Sequence, residues 1–185
     1  MIRIKDLLEG NSELEKEEYK PVGWGYVEDN GKILVAERVK ASDPDRMGEL
    51  VIPGGGKEES EDFYETAVRE TKEETGYDAK WKSYVVGEIS KSIFKPRDKI
   101  LGIIDPEGKV WLKYKDSGKS YVGKVSHLSP EPGAQIREPS EEDTKKPQFI
   151  PEEEFYGERN EDLTPAIQIV SELLDHTERG NELLK

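Results

Sequence analysis

Cysteine is absent from this chain of 185 residues. Its absence excludes disulfide bonds, cysteine nucleophiles and zinc–thiolate sites together. It also fits a reducing compartment, and we expect the protein to be cytoplasmic. Histidine is almost as scarce, with only His127 and His176 present. We interpret both as ordinary strand and helix residues.

Long apolar runs and an excess of positive charge are also lacking. The first 18 residues mix apolar and charged types, so we expect no signal peptide, and no run approaches the length of a membrane span. The chain carries 28 Lys and Arg against 41 Asp and Glu, a net charge of −13. Duplex nucleic acid is therefore an unexpected partner, because phosphate backbones require a basic face. Divalent cations would be attracted to such a surface, although excess acid also serves solubility.

The apolar residues that are present form distinct clusters, which favours one folded domain over residues 1–185 rather than a disordered chain. Strand-like and helix-like segments together predict an α/β fold. Residues 1–20 form a lead-in, and residues 163–175 contain a C-terminal helix. The acidic, proline-rich segment 129–147 is either a functional loop or partly disordered.

Several local signals precede the central helix. Residues 21–28 predict a strand with Val22, Trp24 and Tyr26 on one face, and Asn30-Gly31 is a hairpin turn leading into a return strand over 32–39. Three consecutive glycines at 54–56 predict a tight turn with unusual dihedral angles, and close approach of another group, rather than regular structure.

The central helix is expected to run over residues 61–75. Ser60 can cap its start, acidic residues occupy its first turn, and Gly76 is the expected left-handed stop. Helical spacing predicts an apolar side made of Phe63, Tyr64, Ala67, Val68 and the methyl group of Thr71.

Three glutamates of this helix share one face. Glu70, Glu73 and Glu74 fall within an arc of about 100°. Like charges at these spacings repel by a few tenths of a kcal/mol per pair, and a hard cation with oxygen ligands relieves that repulsion. Mg²⁺ suits such a face, because it binds a few carboxylates together with water and substrate phosphates. In a glutamate-rich chain, the alternative is a solvated acidic helix face.

Residues 55–77 resemble the Nudix box, G-x5-E-x7-R-E-U-x-E-E-x-G-U, where U is a bulky aliphatic residue. The required spacings are met by Gly55, Glu61, Arg69, Glu70, Glu73, Glu74 and Gly76. A chance match to these seven letters has odds of roughly one in ten thousand or lower. The departures are at the two U positions, Thr71 and Tyr77, which still present a methyl group and a largely apolar ring.

The resemblance implies a Nudix-type α/β/α sandwich with a mixed, curved β-sheet. It implies that Glu70, Glu73 and Glu74 ligate Mg²⁺, with Mn²⁺ as a substitute, and that the backbone carbonyl of Gly54 or Gly55 adds a ligand. Glu70 would also help to activate water. Arg69 would have a structural role, held by Glu61 and Glu65 and orienting the glutamates.

The implied activity is hydrolysis of a diphosphate linkage by water attack on phosphorus, with cations neutralising the developing charge. The resemblance also implies a downstream glutamate as ligand or general base. Glu138, Glu141 and Glu142 are candidates, and we prefer Glu142, although each is equally well interpreted as a solvated loop residue. The alternative function is a catalytically silent nucleotide-binding or sensor module, which the complete set of box glutamates disfavours.

The substrate is expected to be a small phosphorylated molecule, by default a nucleoside diphosphate derivative or a nucleoside triphosphate. Aromatic residues that could stack on a base, and that are alternatively core residues, are Trp24, Tyr26, Tyr84 and Phe94. Cations that could hold phosphates, and that are alternatively surface charges, are Arg38, Lys40, Arg46 and Lys57. The lack of cysteine excludes the isomerase branch that acts on isopentenyl diphosphate. A homodimer is compatible with the sequence, which does not determine the oligomeric state.

Overall fold

A computed structural model describes residues 19–39, 47–84, 101–104, 110–116, 119–140 and 144–158. The predicted lead-in up to residue 18 and the predicted helix over 163–175 lie outside these residues. In the described part of the chain, no helix is long and apolar enough to cross a membrane.

The described elements comprise nine strands, one α-helix and a short π-helical turn. The strands are β1 (Tyr19–Val27), β2 (Lys32–Arg38), β3 (Leu50–Val51), β4 (Gly54–Gly56), β5 (Ala79–Tyr84), β6 (Leu101–Ile104), β7 (Val110–Asp116), β8 (Lys119–Pro130) and β9 (Thr144–Pro151). The helix α1 spans Phe63–Thr75, and the π-helical turn spans Glu154–Glu158.

The strands form two sheets. The larger has the order β4-β1-β8-β7-β6, with β5 also paired to β8, and the smaller has the order β3-β2-β9. Strands β1 and β8 are parallel, whereas the other pairs are antiparallel. The predicted mixed sheet and α/β class are thus confirmed. Helix α1 packs against β1, β4, β5, β8 and β9.

Strand β1 lies between β4 and β8 in the larger sheet, and its residues 22–27 are buried on both faces. Val22, Trp24 and Tyr26 share one face, as predicted, and all three are buried. On the opposite face, glycines let α1 approach closely: a Cβ atom added at Gly23 would lie 2.5 Å from the Phe63 carbonyl oxygen. At Gly25 it would collide with the Thr71 hydroxyl. The glycines that alternate with large residues therefore allow α1 to pack directly against the backbone of β1.

The turn after β1 has the geometry that its sequence predicts. Asn30 and Gly31 both have positive φ, 51° and 70°. The backbone N–H groups and carbonyls of Asp29 and Lys32 exchange hydrogen bonds of 2.9 and 3.1 Å. The hairpin does not continue as a ladder, however. After the bridge between Glu28 and Ile33, β2 joins the second sheet beside β9.

The prediction that glycines 54–56 form no regular structure was wrong. They form the short strand β4, antiparallel to β1, with Gly54 opposite Trp24 and Gly55 opposite Gly23. None of the three has positive φ. Glycine is required here because neighbouring groups approach closely: a Cβ atom at Gly54 would lie 2.9 Å from Cγ of Trp24.

The start of α1 also differs from the prediction. The helix begins at Phe63, and Asp62 rather than Ser60 is its N-cap. The Glu65 carboxylate accepts a 2.7 Å hydrogen bond from the Asp62 backbone N–H. Glu65 was predicted to pair with Arg69. It instead accepts a hydrogen bond from a backbone N–H at the start of the helix. The helix end is confirmed, since Gly76 is left-handed with φ 63°.

The described part of the predicted 129–147 loop is shorter than expected and is packed against the protein. Strand β8 continues to Pro130, and β9 begins at Thr144. Ala134 and Ile136 pack against a core cluster beneath α1. The buried members of this cluster are Val27, Leu34, Ala67, Tyr77, Ala79 and Leu128.

Candidate active site

The C-terminal half of α1 meets strand β4 through two carboxylates. The Glu74 Oε2 atom accepts a 2.9 Å hydrogen bond from the Gly54 backbone N–H. The Glu70 carboxylate lies against Gly55, where an added Cβ atom would be 2.5 Å from its Cδ and Oε1 atoms. The glycine strand therefore forms one wall of a site whose other wall is the helix.

The three box glutamates of α1 differ in how far they are exposed to solvent. Glu70 and Glu74 are each 6% exposed, whereas the Glu73 side chain is 33% exposed. The alternative of a solvated acidic face therefore does not hold for Glu70 and Glu74. A buried carboxylate is costly unless it is paired and hydrogen-bonded, so this placement requires dedicated partners.

The buried side of α1 is more polar than its sequence predicts. Ala67 and Thr71 are buried as expected, but Phe63, Tyr64 and Val68 are only partly buried. The remaining buried residues are Thr66, Glu70, Glu74 and Thr75. The helix is rotated so that carboxylates and hydroxyls, rather than large apolar side chains, face the glycine-bearing strands.

Arg69 joins the glutamates into one network. Its Nη1 atom donates to Glu70 Oε1 and to Glu73 Oε2, both at 2.7 Å. Its Nε and Nη2 atoms donate to the Glu61 carboxylate at 2.7 and 3.1 Å, and Nη2 also donates to the Gly56 carbonyl at 2.9 Å. Arg69 thus holds two of the candidate metal ligands and ties α1 to β4.

The electrostatics of this network keep Glu61 and Arg69 charged. The hydrogen bond from Arg69 is the main reason that the pKa of Glu61 falls to about 2. The backbone N–H of Glu58 and the hydroxyl of Thr66 lower this pKa further. In return, Glu61 is the main group that raises the pKa of Arg69.

The last carbonyls of α1 are capped by the chain that follows β8. The Ser140 N–H donates to the Glu73 carbonyl at 2.8 Å, and the Thr144 hydroxyl donates to the Glu74 carbonyl at 3.0 Å. The Arg137 N–H reaches the Thr75 carbonyl at 3.3 Å. Helix carbonyls at this end have no partner within the helix, so these bonds fix the backbone that carries two candidate ligands. The sequence contains no signal that identifies these partners in advance.

Two of the predicted stacking residues lie in the core. Trp24 is 7% exposed and lies against Gly54, and Tyr26 is 3% exposed. The Tyr26 hydroxyl is 2.7 Å from that of Tyr156, and its ring contacts the ring of Phe155 with centroids 6.2 Å apart. Both residues therefore occupy the core positions that the sequence left as the alternative.

Of the cations predicted to hold phosphates, the structure describes Arg38 and Lys57. Arg38 is half-buried at the end of β2. Lys57 follows β4, with its Nζ atom 5.9 Å from the Phe63 ring centroid. Glu138 is exposed. Lys40, Arg46, Phe94, Glu141, Glu142 and His176 lie outside the described residues.

Within the described ranges, no three acidic or histidine side chains already form a metal cage. The reason is visible in their partners: Glu70 and Glu73 direct oxygens at Arg69, and Glu74 directs one at Gly54. The donors nevertheless suit Mg²⁺, because all are oxygens and this ion completes its shell with water and substrate phosphates. Gly55 has no side chain, so the Glu70 carboxylate can lie directly against the backbone of β4.

Comparison with known proteins agrees with this architecture. The NUDIX domain model matches residues 21–168. A search of curated proteins found no match. The solution structure of the E. coli ORF135 protein is 21% identical, with a TM-score of 0.54, and the match covers 89% of this chain and 92% of that one.

Two further solved structures have the same fold at low sequence identity. The MutT protein from Methanosarcina mazei Go1 is 14% identical, with a TM-score of 0.57, over 90% of this chain and 97% of that one. The Bacillus subtilis pyrophosphohydrolase BsRppH is 21% identical, with a TM-score of 0.51, over 89% and 85%. With the family model matching most of the chain, the protein belongs to the Nudix family.

Proposed function

We propose that this protein is a metal-dependent hydrolase that cleaves the diphosphate linkage of a nucleoside diphosphate derivative or a nucleoside triphosphate. Membership of the Nudix family supports hydrolysis of pyrophosphate bonds in small phosphorylated substrates. One observation carries the proposal: Glu70 and Glu74 are buried against the glycine strand β4, and Arg69 bridges Glu70 to Glu73. Such placement costs stability and is typical of a functional site.

In this proposal, Glu70, Glu73 and Glu74 hold Mg²⁺, or Mn²⁺ in its place, together with the carbonyl of Gly54 or Gly55. The metal would neutralise charge on the diphosphate oxygens and make a bound water more acidic. Arg69 orients the carboxylates of Glu70 and Glu73 through its Nη1 atom. We assign to Glu70 the further role of helping to activate the attacking water.

Glu142 is our proposed general base, and the described residues that flank it in sequence contact the candidate site. Ser140 precedes Glu142 by two residues and donates to the Glu73 carbonyl. Thr144 follows Glu142 by two residues and donates to the Glu74 carbonyl. Glu142→Gln should therefore reduce kcat strongly, whereas Glu138→Gln, at the rival candidate in the same segment, should not. Equal activity of the two variants would exclude this role for Glu142.

The decisive experiment is phosphate and pyrophosphate release from a panel of nucleoside triphosphates, nucleotide sugars and dinucleoside polyphosphates with Mg²⁺. Glu73→Gln and Glu74→Gln should keep the thermal unfolding midpoint and lower turnover by orders of magnitude. The exposed Glu59→Gln is the matched control. Wild-type turnover in Glu74→Gln would show that this carboxylate is not a required ligand. A metal-dependent thermal shift without turnover of any compound would instead favour the sensor function.

We also propose that residues 1–185 act as a single domain in the cytoplasm. The core cluster that joins α1, β5 and β8 to the segment after β8 supports one continuous unit. Size-exclusion chromatography with light scattering tests whether the protein is a homodimer.

A further inference from the structure

Thr66 is a fully buried hydroxyl residue in the first half of α1. It is 0% exposed and packs above β1, where a Cβ atom added at Gly23 would lie 2.9 Å from the Thr66 Cβ. It occupies none of the seven matched Nudix-box positions. Its contacts nevertheless connect it with the network that holds the box glutamates.

The Thr66 hydroxyl has two acceptors within reach. Glu61 Oε2 lies at 2.8 Å, and the Asp62 carbonyl lies at 3.3 Å. A threonine hydroxyl donates one proton, and a short bond to a carboxylate is stronger than a long one to a neutral carbonyl. The principal bond is therefore to Glu61. Thr71, by contrast, donates to the Ala67 carbonyl of its own helix at 2.7 Å.

Glu61 connects the Thr66 hydroxyl to the candidate metal ligands through Arg69. Its carboxylate accepts two hydrogen bonds from Arg69, whose Nη1 atom then donates to Glu70 and Glu73. The Glu61 Oε2 atom is held on its other sides by the Thr66 hydroxyl and the Glu58 N–H. Thr66 is the buried end of this line of hydrogen bonds. Removing its hydroxyl takes away one of the three donors to Glu61 Oε2 and so loosens the position of Glu61 and of Arg69.

We propose that Thr66 is a positioning residue for the metal site: its hydroxyl orients Glu61, which orients Arg69, which sets the carboxylates of Glu70 and Glu73. This inference rests on the proposed metal-dependent function. It assigns to Thr66 no contact with metal or substrate. Outer partners of metal ligands generally affect metal affinity, which makes affinity the quantity to measure.

The test compares Thr66→Val, which removes the hydroxyl at constant shape, with Thr66→Ser, which keeps the hydroxyl and loses the methyl group. Thr71→Val is the matched control, because its hydroxyl bonds only a helix carbonyl among the described contacts. Mn²⁺ binding is measured by electron paramagnetic resonance, and kcat is measured at saturating Mg²⁺. Thr66→Val should bind Mn²⁺ about tenfold or more weakly, whereas Thr66→Ser and Thr71→Val should remain close to wild type.

A double-mutant cycle with Glu61→Gln completes the test. If Thr66 acts through Glu61, Thr66→Val should add little to the loss caused by Glu61→Gln, whereas fully additive losses would overturn the proposal. Wild-type Mn²⁺ affinity in Thr66→Val, or an equal loss in Thr66→Ser, would overturn it too, because the second result indicates simple packing. If Thr66→Val does not fold, Thr66→Ala removes the same hydroxyl with less bulk.

The proposed function and this inference fail in different ways. If the wild-type protein neither binds Mn²⁺ nor hydrolyses any compound of the panel, the proposed function is wrong and the inference falls with it. If the wild-type protein does both and Thr66→Val is unchanged, only the role of Thr66 is refuted.

Discussion

Gly55→Ala tests directly how strand β4 and helix α1 share the site. A Cβ atom at Gly55 would lie 2.5 Å from Cδ and Oε1 of Glu70 and 2.6 Å from its Oε2. Non-bonded carbon contacts are comfortable at about 3.5–4.0 Å, so the carboxylate has to move by about 1 Å. It can do so, because it is the end of a side chain. Gly55 does not have positive φ, so alanine can adopt its backbone conformation.

The expected effect is on catalysis far more than on folding. A displacement of about 1 Å in a positioned group can reduce a rate about 100-fold. The moved Glu70 would also lose its 2.7 Å bond from Arg69. We therefore expect kcat to fall about 100-fold and Mn²⁺ affinity to fall with it, while the unfolding midpoint changes little.

The adjacent residue provides the control. A Cβ atom at Gly56 meets no atom within 4 Å, so Gly56→Ala makes the same chemical change in the same strand without a clash. Both variants are assayed for turnover, Mn²⁺ binding and thermal unfolding. Wild-type turnover in Gly55→Ala would refute the reasoning, as would an equal loss in Gly56→Ala.

Three further predictions concern stability. The pKa of Glu61 is lowered from 4.5 to about 2, so its stabilising effect is complete above pH 4.5 and is lost as the pH falls toward 2. Glu61→Gln should flatten this part of the pH dependence of unfolding in urea titrations; an unchanged slope would refute it. Ser126 Oγ is buried without a partner among the described residues, so Ser126→Ala should be neutral or stabilise by about 1 kcal/mol, and clear destabilisation would contradict this. Gly25→Ala should destabilise by about 1–3 kcal/mol or more through its clash with Thr71, and an unchanged melting temperature would exclude that contact.

The local elements were predictable where short-range chemistry dominates. Asn30-Gly31 forms its turn because both residues tolerate positive φ, and Gly76 ends α1 for the same reason. The helix start was missed by two residues, since Asp62 and Glu65 compete with Ser60 for the cap. The close approach of other groups to glycines 54–56 was predictable, but their pairing as a strand was not, because it depends on the partner strand β1.

Local sequence was sufficient to predict the helix, the Nudix-box spacing and the common face of Glu70, Glu73 and Glu74, because 3.6 residues per turn follow from the backbone alone. Only the tertiary structure decided that Glu70 and Glu74 are buried while Glu73 is partly exposed. The parallel pairing of β1 with β8, and the hydrogen bond from the Gly54 backbone N–H to Glu74, were likewise decided there. Burial and such bonds depend on segments distant in sequence, and no local pattern records which of them will meet.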